Sequence, residues 1–226
     1  MLNRLLSGNL TLGGAIAYIL SSLIVIFLTL PIHEYAHGFA ATKLGDPTPR
    51  YQGRMSLNPF AHIDYLGSAC ILLFGFGWAK PVQINSNNFR NPKRDMAVTA
   101  MAGPLSNLIV ALAALLLGNI VNLVYSTVLS VSFFAYVYLF FFYIAQINIY
   151  LAVFNLIPIP PLDGSRLLSA LLPYKQYYAL MRYERYIFLG LLALLWIGVL
   201  DVPLNFLSGA VMKALSFLAD LPFRLF

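Results

Sequence analysis

Charge is the scarcest property of this sequence. Of its 226 residues, 14 are Lys or Arg and 8 are Asp or Glu, so 10% are charged while 60% are hydrophobic. An ordinary soluble domain carries about 25% charged residues, so a water-soluble class is excluded and an integral membrane chain fits. The net charge of +6 does not alter this. The basic residues are scattered over loops between apolar blocks, and without a basic stripe there is no nucleic-acid face. Cysteine is almost absent: one residue, Cys70, inside an apolar run, excludes both a disulfide framework and a cysteine-built metal cluster. Histidine occurs three times, as His33, His37 and His62, so any imidazole chemistry must be drawn from these. The N-terminal stretch leads from Arg4 into an apolar run with no small-residue cleavage pattern, and is read as retained.

What is present is organised as long apolar blocks. Residues 15–30 are apolar except Ser21, Ser22 and Thr29, and the helical pattern continues through HEYAHGFAATKLG to the stop at Gly45, Asp46 and Pro47. That makes a helix of about 28 residues or more, enough for a bilayer core that needs about 20, with Pro31 placed to kink it. A polar, basic stretch follows, then LGSACILLFGFGWAKP, whose apolar core is too short to span and favours a re-entrant or partly inserted segment over residues 66–77. From Met96 to Leu162, 67 residues contain no Asp, Glu, Lys, Arg or His. Two spans account for them, roughly 96–124 and 127–154, with a turn near 122–130. A further span is expected over 186–200, and the helically spaced residues after it suggest an interfacial C-terminal helix. The fold class is thus an all-α polytopic membrane protein, one domain over 1–226, with a core at about 15–170 and a C-terminal part at about 184–226. Basic residues flank the 96–154 pair on both sides, which places those flanks in the cytoplasm of a multi-pass cell-membrane protein.

The stretch PIHEYAHG carries the chemistry. On a helix, HExxH sets two histidines on one face, where they can bind one Zn2+, with the glutamate between them placed to act on a metal-held water. Here these are His33, Glu34 and His37, and three ionisable groups in one turn of a membrane helix mark a functional site. Catalytic zinc takes three protein ligands and keeps a fourth position for water. His62, in the loop NPFAHIDYLG, is the remaining imidazole. Among the carboxylates Asp163 stands apart, because it closes FNLIPIPPLDG, where Pro158, Pro160 and Pro161 block regular helix and residues 156–162 are expected to be extended. Irregular backbone at membrane depth is tolerated where it lines a cavity. Two intervening spans return Asp163 to the side of His33 and His37, so the three groups can converge.

These motifs resemble the site-2 protease family of intramembrane zinc metalloproteases. HEYAH matches the family's HExxH. Asn155, Pro158, Asp163 and Gly164 match its NxxPxxxxDG element, and Gly103, Pro104 and Asn107 form a GPxxN element between them. The match covers about residues 15–170, in a compact form with no PDZ or CBS domain. The resemblance implies that Asp163 is the third zinc ligand, Glu34 the general base, and a membrane-spanning protein the substrate, cut in or near its transmembrane segment at a site reached from the cytoplasm. Asn155 and Asn107 become candidates for substrate backbone or oxyanion contacts, although each has a plain role available as a helix-bridging amide. His62 reads as a loop histidine satisfied by hydrogen bonds. Two other classes remain compatible. An inactive scaffold of the same fold is opposed by the intact Glu34, and a metal transporter by a helix pair that offers few ligands along a path.

Overall fold

The structure, a computed structural model, describes residues 11–74, 77–128 and 132–224. The first apolar block forms one continuous helical rod, Leu12–Lys43. It divides into α1 (Leu12–Ile24), a wider π-turn (Val25–Thr29) and α2 (Leu30–Lys43). Pro31 explains the wide turn. Its ring would strike the carbonyl four residues back in a regular α-helix, and the π-turn removes that clash by closing on the Val25 carbonyl from the Leu30 N–H. The expected kink is therefore absorbed as a local expansion directly ahead of the histidines.

The short apolar piece is α3 (Tyr65–Phe74), about 15 Å long, half the depth of a hydrocarbon core of about 30 Å. The two flanks of the segment lie together. The Lys80 N–H donates to the His62 carbonyl at 2.8 Å, and the backbones of Gly67 and Gly77–Trp78 touch where neither glycine has room for a Cβ. A short helix whose flanks meet is the geometry that a re-entrant segment requires. Ile71 of α3 is buried in a cluster with Val25, Ile26, Leu30 and Leu151, and its carbonyl accepts from the Tyr18 hydroxyl at 3.2 Å.

The charge-free block forms α4 (Pro92–Val128) and α5 (Ser132–Asn155). Asn122 lies within α4 rather than in a turn, because an Asn at a helix end near the interface remains compatible with helix when its neighbours are apolar. Residues 129–131, part of the expected turn, lie outside the described residues. Ala111, Ala114 and Ala145 are buried between the helices, and their small side chains let the backbones approach closely. The proline segment after α5 is non-helical as expected but not extended. It is a chain of tight turns, with the N–H groups of Ile157, Ile159 and Leu162 bonded to Phe154, Ile157 and Ile159 carbonyls. Short helices α6 (Asp163–Leu171) and α7 (Tyr174–Arg182) follow.

Four helices are long and apolar enough to cross a membrane, Leu12–Lys43, Pro92–Val124, Phe133–Asn155 and Asp201–Phe223. The number agrees with expectation and the identity of the fourth does not. The block expected to span at 186–200 is α8 (Glu184–Ile197), 14 residues closed by Gly198 at φ 81°, about 21 Å long. The last block, expected to be interfacial, is α9 (Asp201–Asp220), which packs on α4 and α5 and buries Leu204 and Ala219 in the main core. The Asn119 amide donates to Asp220 at 2.8 Å and fixes its end. Lys213 stays on the exposed face, where its long stem can carry the charge away from hydrocarbon. The described residues contain no strand, so the chain is an all-α polytopic membrane protein.

Asp46 ties the loop after α2 to the segment before α4. Its carboxylate accepts from the Thr48 hydroxyl at 2.5 Å, the Asn88 amide at 2.7 Å and the Asn85 N–H at 2.7 Å. Burial pushes this carboxyl up, but the hydrogen bonds from Thr48, Asn88 and Asn85 outweigh it and hold it below its ordinary 3.8. Because the folded value is the lower one, the stabilisation is complete above the unfolded value and is lost as pH falls through the folded value. Asp46→Ala should cost at least about 2 kcal/mol of stability. Thermal unfolding in detergent from about pH 6 to about pH 3 should show a wild-type loss at the acid end that the variant lacks.

Candidate metal centre

The histidines occupy one face of α2 because four residues make about one turn. Both are buried. His37 Nε2 lies 3.1 Å from His33 Nε2 and 3.0 Å from Asp163 Oδ2, and His33 Nε2 lies 3.2 Å from the same oxygen. These three atoms form the one group of His, Cys, Asp and Glu donors among the described residues that could hold a metal.

Two features of α4 build this triangle. Gly103 packs against both imidazoles, and a Cβ there would sit 2.6 Å from His33 Nε2. Pro104 follows it inside the helix and removes the N–H that would bond the Ala100 carbonyl in the preceding turn. The Thr99 carbonyl in that turn accepts from His37 Nδ1 at 2.8 Å. That bond puts the His37 proton on Nδ1 and its lone pair on Nε2, toward the other two donors. Asp163 opens α6, and Gly164 after it leaves space for the Leu156 and Ile157 carbonyls, against which a side chain would collide.

The donor set fits zinc. Tetrahedral zinc with bonds of about 2.0–2.1 Å places its ligands about 3.3 Å apart, close to the observed edges. Without a cation, two imidazole lone pairs and a carboxylate oxygen at these separations would repel, and a single proton relieves only part of that.

Glu34 is buried beside the triangle, and its Oε2 accepts from the Val82 N–H at 2.8 Å. His33, Glu34, Asp163 and Asn155 line one cavity of about 230 Å³. Asn107 does not line it and is fully enclosed in α4. His62 lies elsewhere, its Nε2 2.8 Å from the Ser56 carbonyl, in agreement with the loop reading.

The cavity also contains residues that were not singled out from the sequence. Trp78 and Phe188 meet edge to face at 5.4 Å on its wall. Arg166 lines it with no ion pair among the described residues. Arg166 was findable, since a basic residue one turn after Asp163 on a helix shares its face. The contributions of Val82 and Thr99 were not, because both act through the backbone.

A membrane-embedded His–His–Asp donor set, flanked by a fixed glutamate in a cavity, defines a polytopic membrane metalloprotein with the groups for hydrolysis. Comparison with known proteins places it further. Residues 117–198, which include Asp163 but not the histidine motif, match the model of Peptidase family M50. The chain is 40% identical over 156 residues to "Putative zinc metalloprotease YwhC" of Bacillus subtilis, covering 69% of each chain. It is 28% identical over 171 residues to "Putative zinc metalloprotease Rip2" of Mycolicibacterium smegmatis, covering 67% of this chain and 62% of that one. No solved structure matches with significance. The chain belongs to peptidase family M50, the site-2 protease family of zinc metalloproteases.

Gly103→Ala should abolish zinc binding while leaving the helical content near wild type, because the new methyl enters the donor triangle. Circular dichroism with metal analysis checks both. A zinc-replete Gly103→Ala protein would contradict the packing described.

Proposed function

We propose that this protein hydrolyses peptide bonds in or near transmembrane segments of other membrane proteins, with one zinc per chain held by His33, His37 and Asp163. The observation that carries the reading is the 3.0–3.2 Å donor triangle, two of whose members, His33 and Asp163, line one cavity with Glu34. When bound, zinc supplies a Lewis acid that polarises a carbonyl and lowers the pKa of water toward about 7.

The remaining steps belong to the chain. Glu34 accepts a proton from the attacking water as its oxygen bonds to the scissile carbonyl carbon. It then delivers that proton to the amine nitrogen as the C–N bond breaks. The Val82 N–H holds Oε2 and so leaves the other carboxylate oxygen for this work. Asn155, on the cavity wall beside Asp163, is suited to hold the substrate backbone, and Arg166 brings positive charge to the wall where negative charge develops on the carbonyl oxygen. A helical substrate must unwind locally to enter, since helical carbonyls are already hydrogen-bonded. Lys43, Arg50, Arg54 and the basic residues of 80–94 and 166–185 flank in sequence the segments that carry His33, His37 and Asp163, which supports access from the cytoplasmic side.

Purified wild type and Glu34→Gln should each hold about one zinc, and only the wild type should cut a membrane-anchored reporter. Loss of the general base should lower the rate at least about 100-fold. Equal cutting by the two proteins would overturn the mechanism.

A further inference from the structure

Polar side chains in these membrane helices generally satisfy themselves. The Ser21, Ser22 and Thr42 hydroxyls and the Asn148 amide each donate to the carbonyl four residues back. Four side chains near the metal centre break this habit, one of them Thr99, whose Oγ1 is unpartnered among the described residues while its carbonyl meets His37. Thr29 Oγ1 and both amide atoms of Asn107 are buried without a partner among the described residues, as is His33 Nδ1. Thr29 and Asn107 are each 0% exposed.

The helix register brings these groups to one depth. α2 and α4 run antiparallel, with His37 opposite Thr99 and with His33 and His37 against Gly103. One turn further, Thr29 precedes His33 on its helix and Asn107 follows Gly103 on its own, each on the same face as its predecessor. Side chains lean toward the N-terminus of their helix, so Asn107 leans toward the histidines.

The chemistry of His33 specifies what is needed there. Its Nε2 is committed to the donor triangle, so the proton of the neutral ring sits on Nδ1. A metal-bound histidine nearly always donates that proton to a fixed acceptor. His37 does so to the Thr99 carbonyl, whereas His33 has no acceptor among the described residues. An enclosed water needs two to four polar partners. His33 Nδ1–H, Thr29 Oγ1 and the two Asn107 amide atoms provide four.

We propose that Asn107 is a positioning residue which, with Thr29, holds a buried water that accepts the Nδ1 proton of His33 and so fixes its tautomer and ring for metal binding. Asn107 then acts from behind the ligands and never meets the substrate. The inference rests on the assignment of His33 as a ligand.

The test measures zinc affinity and zinc-free melting temperature on the full chain in detergent. Asn107→Leu should weaken zinc binding about 10- to 100-fold, the range for lost outer-shell partners. Its zinc-free form should melt no lower than wild type, because a buried amide without protein partners has been replaced by an apolar group. Asn107→Ser, which keeps a hydroxyl and room for the water, should recover most of the affinity. Thr29→Val should weaken binding in the same direction by a smaller factor, and it carries the test if Asn107→Leu does not fold. Wild-type zinc affinity in Asn107→Leu and Thr29→Val would overturn the proposal, as would a Ser variant no better than Leu, or a zinc-free Leu variant destabilised in step with its lost affinity. His33→Ala separates the two levels. If it binds zinc like wild type, the ligand assignment itself fails; if it loses zinc while Asn107→Leu does not, the ligands stand and the positioning role falls.

Discussion

Three lone-pair donors held about 3 Å apart inside an apolar bundle are the constraint around which this molecule is arranged. Two imidazole nitrogens and a carboxylate oxygen at 3.0–3.2 Å cannot be neighbours in a low-dielectric interior unless positive charge lies between them. A dication serves all three edges at once. Much of the local structure follows from bringing them together: α2 supplies two donors one turn apart, and the third must come from a different part of the chain.

The bundle solves this with backbone features more than with side chains. Gly103 removes a side chain where the imidazoles need room, and the Thr99 carbonyl one turn earlier on the same helix orients His37. The π-turn ahead of Pro31 lets the first helix remain continuous through the proline. The re-entrant segment returns along itself so that Val82 can reach Glu34. A membrane interior penalises unsatisfied backbone groups, so each irregularity lies where another element can use the groups it frees. The turns of residues 156–162 belong to the same pattern, ending where Asp163 enters the site.

The site was largely legible in the sequence because its residue types are rare in hydrocarbon and their spacing has a mechanism. HExxH encodes a helical face, and an Asp after a proline-broken segment encodes a return to the same side. The fold was legible wherever apolar length alone decides, as in Leu12–Lys43 and the re-entrant α3. It was misjudged where tertiary packing decides. The stretch 186–200 carries no charge while 201–223 carries Asp201, Lys213 and Asp220, yet Gly198 closes the first at 14 residues and the seating of α9 on α4 and α5 favours the second as the longer helix. Asn107 was illegible in a different way, since its pattern marked it as important but only the packing around α4 encloses it and keeps it out of the cavity. Hydrogen bonds from Val82 and to Thr99 left no trace, because any residue other than proline carries a backbone N–H, and every residue carries a carbonyl.

The central claim is that one zinc is held by two histidines of the first span and an aspartate more than a hundred residues later. X-ray absorption at the zinc edge of the metal-loaded protein tests this most directly. The account predicts a shell of nitrogen and oxygen at about 2.0–2.1 Å with the scattering of two imidazoles and no sulfur. A third imidazole, or sulfur at about 2.3 Å from Cys70, would contradict it.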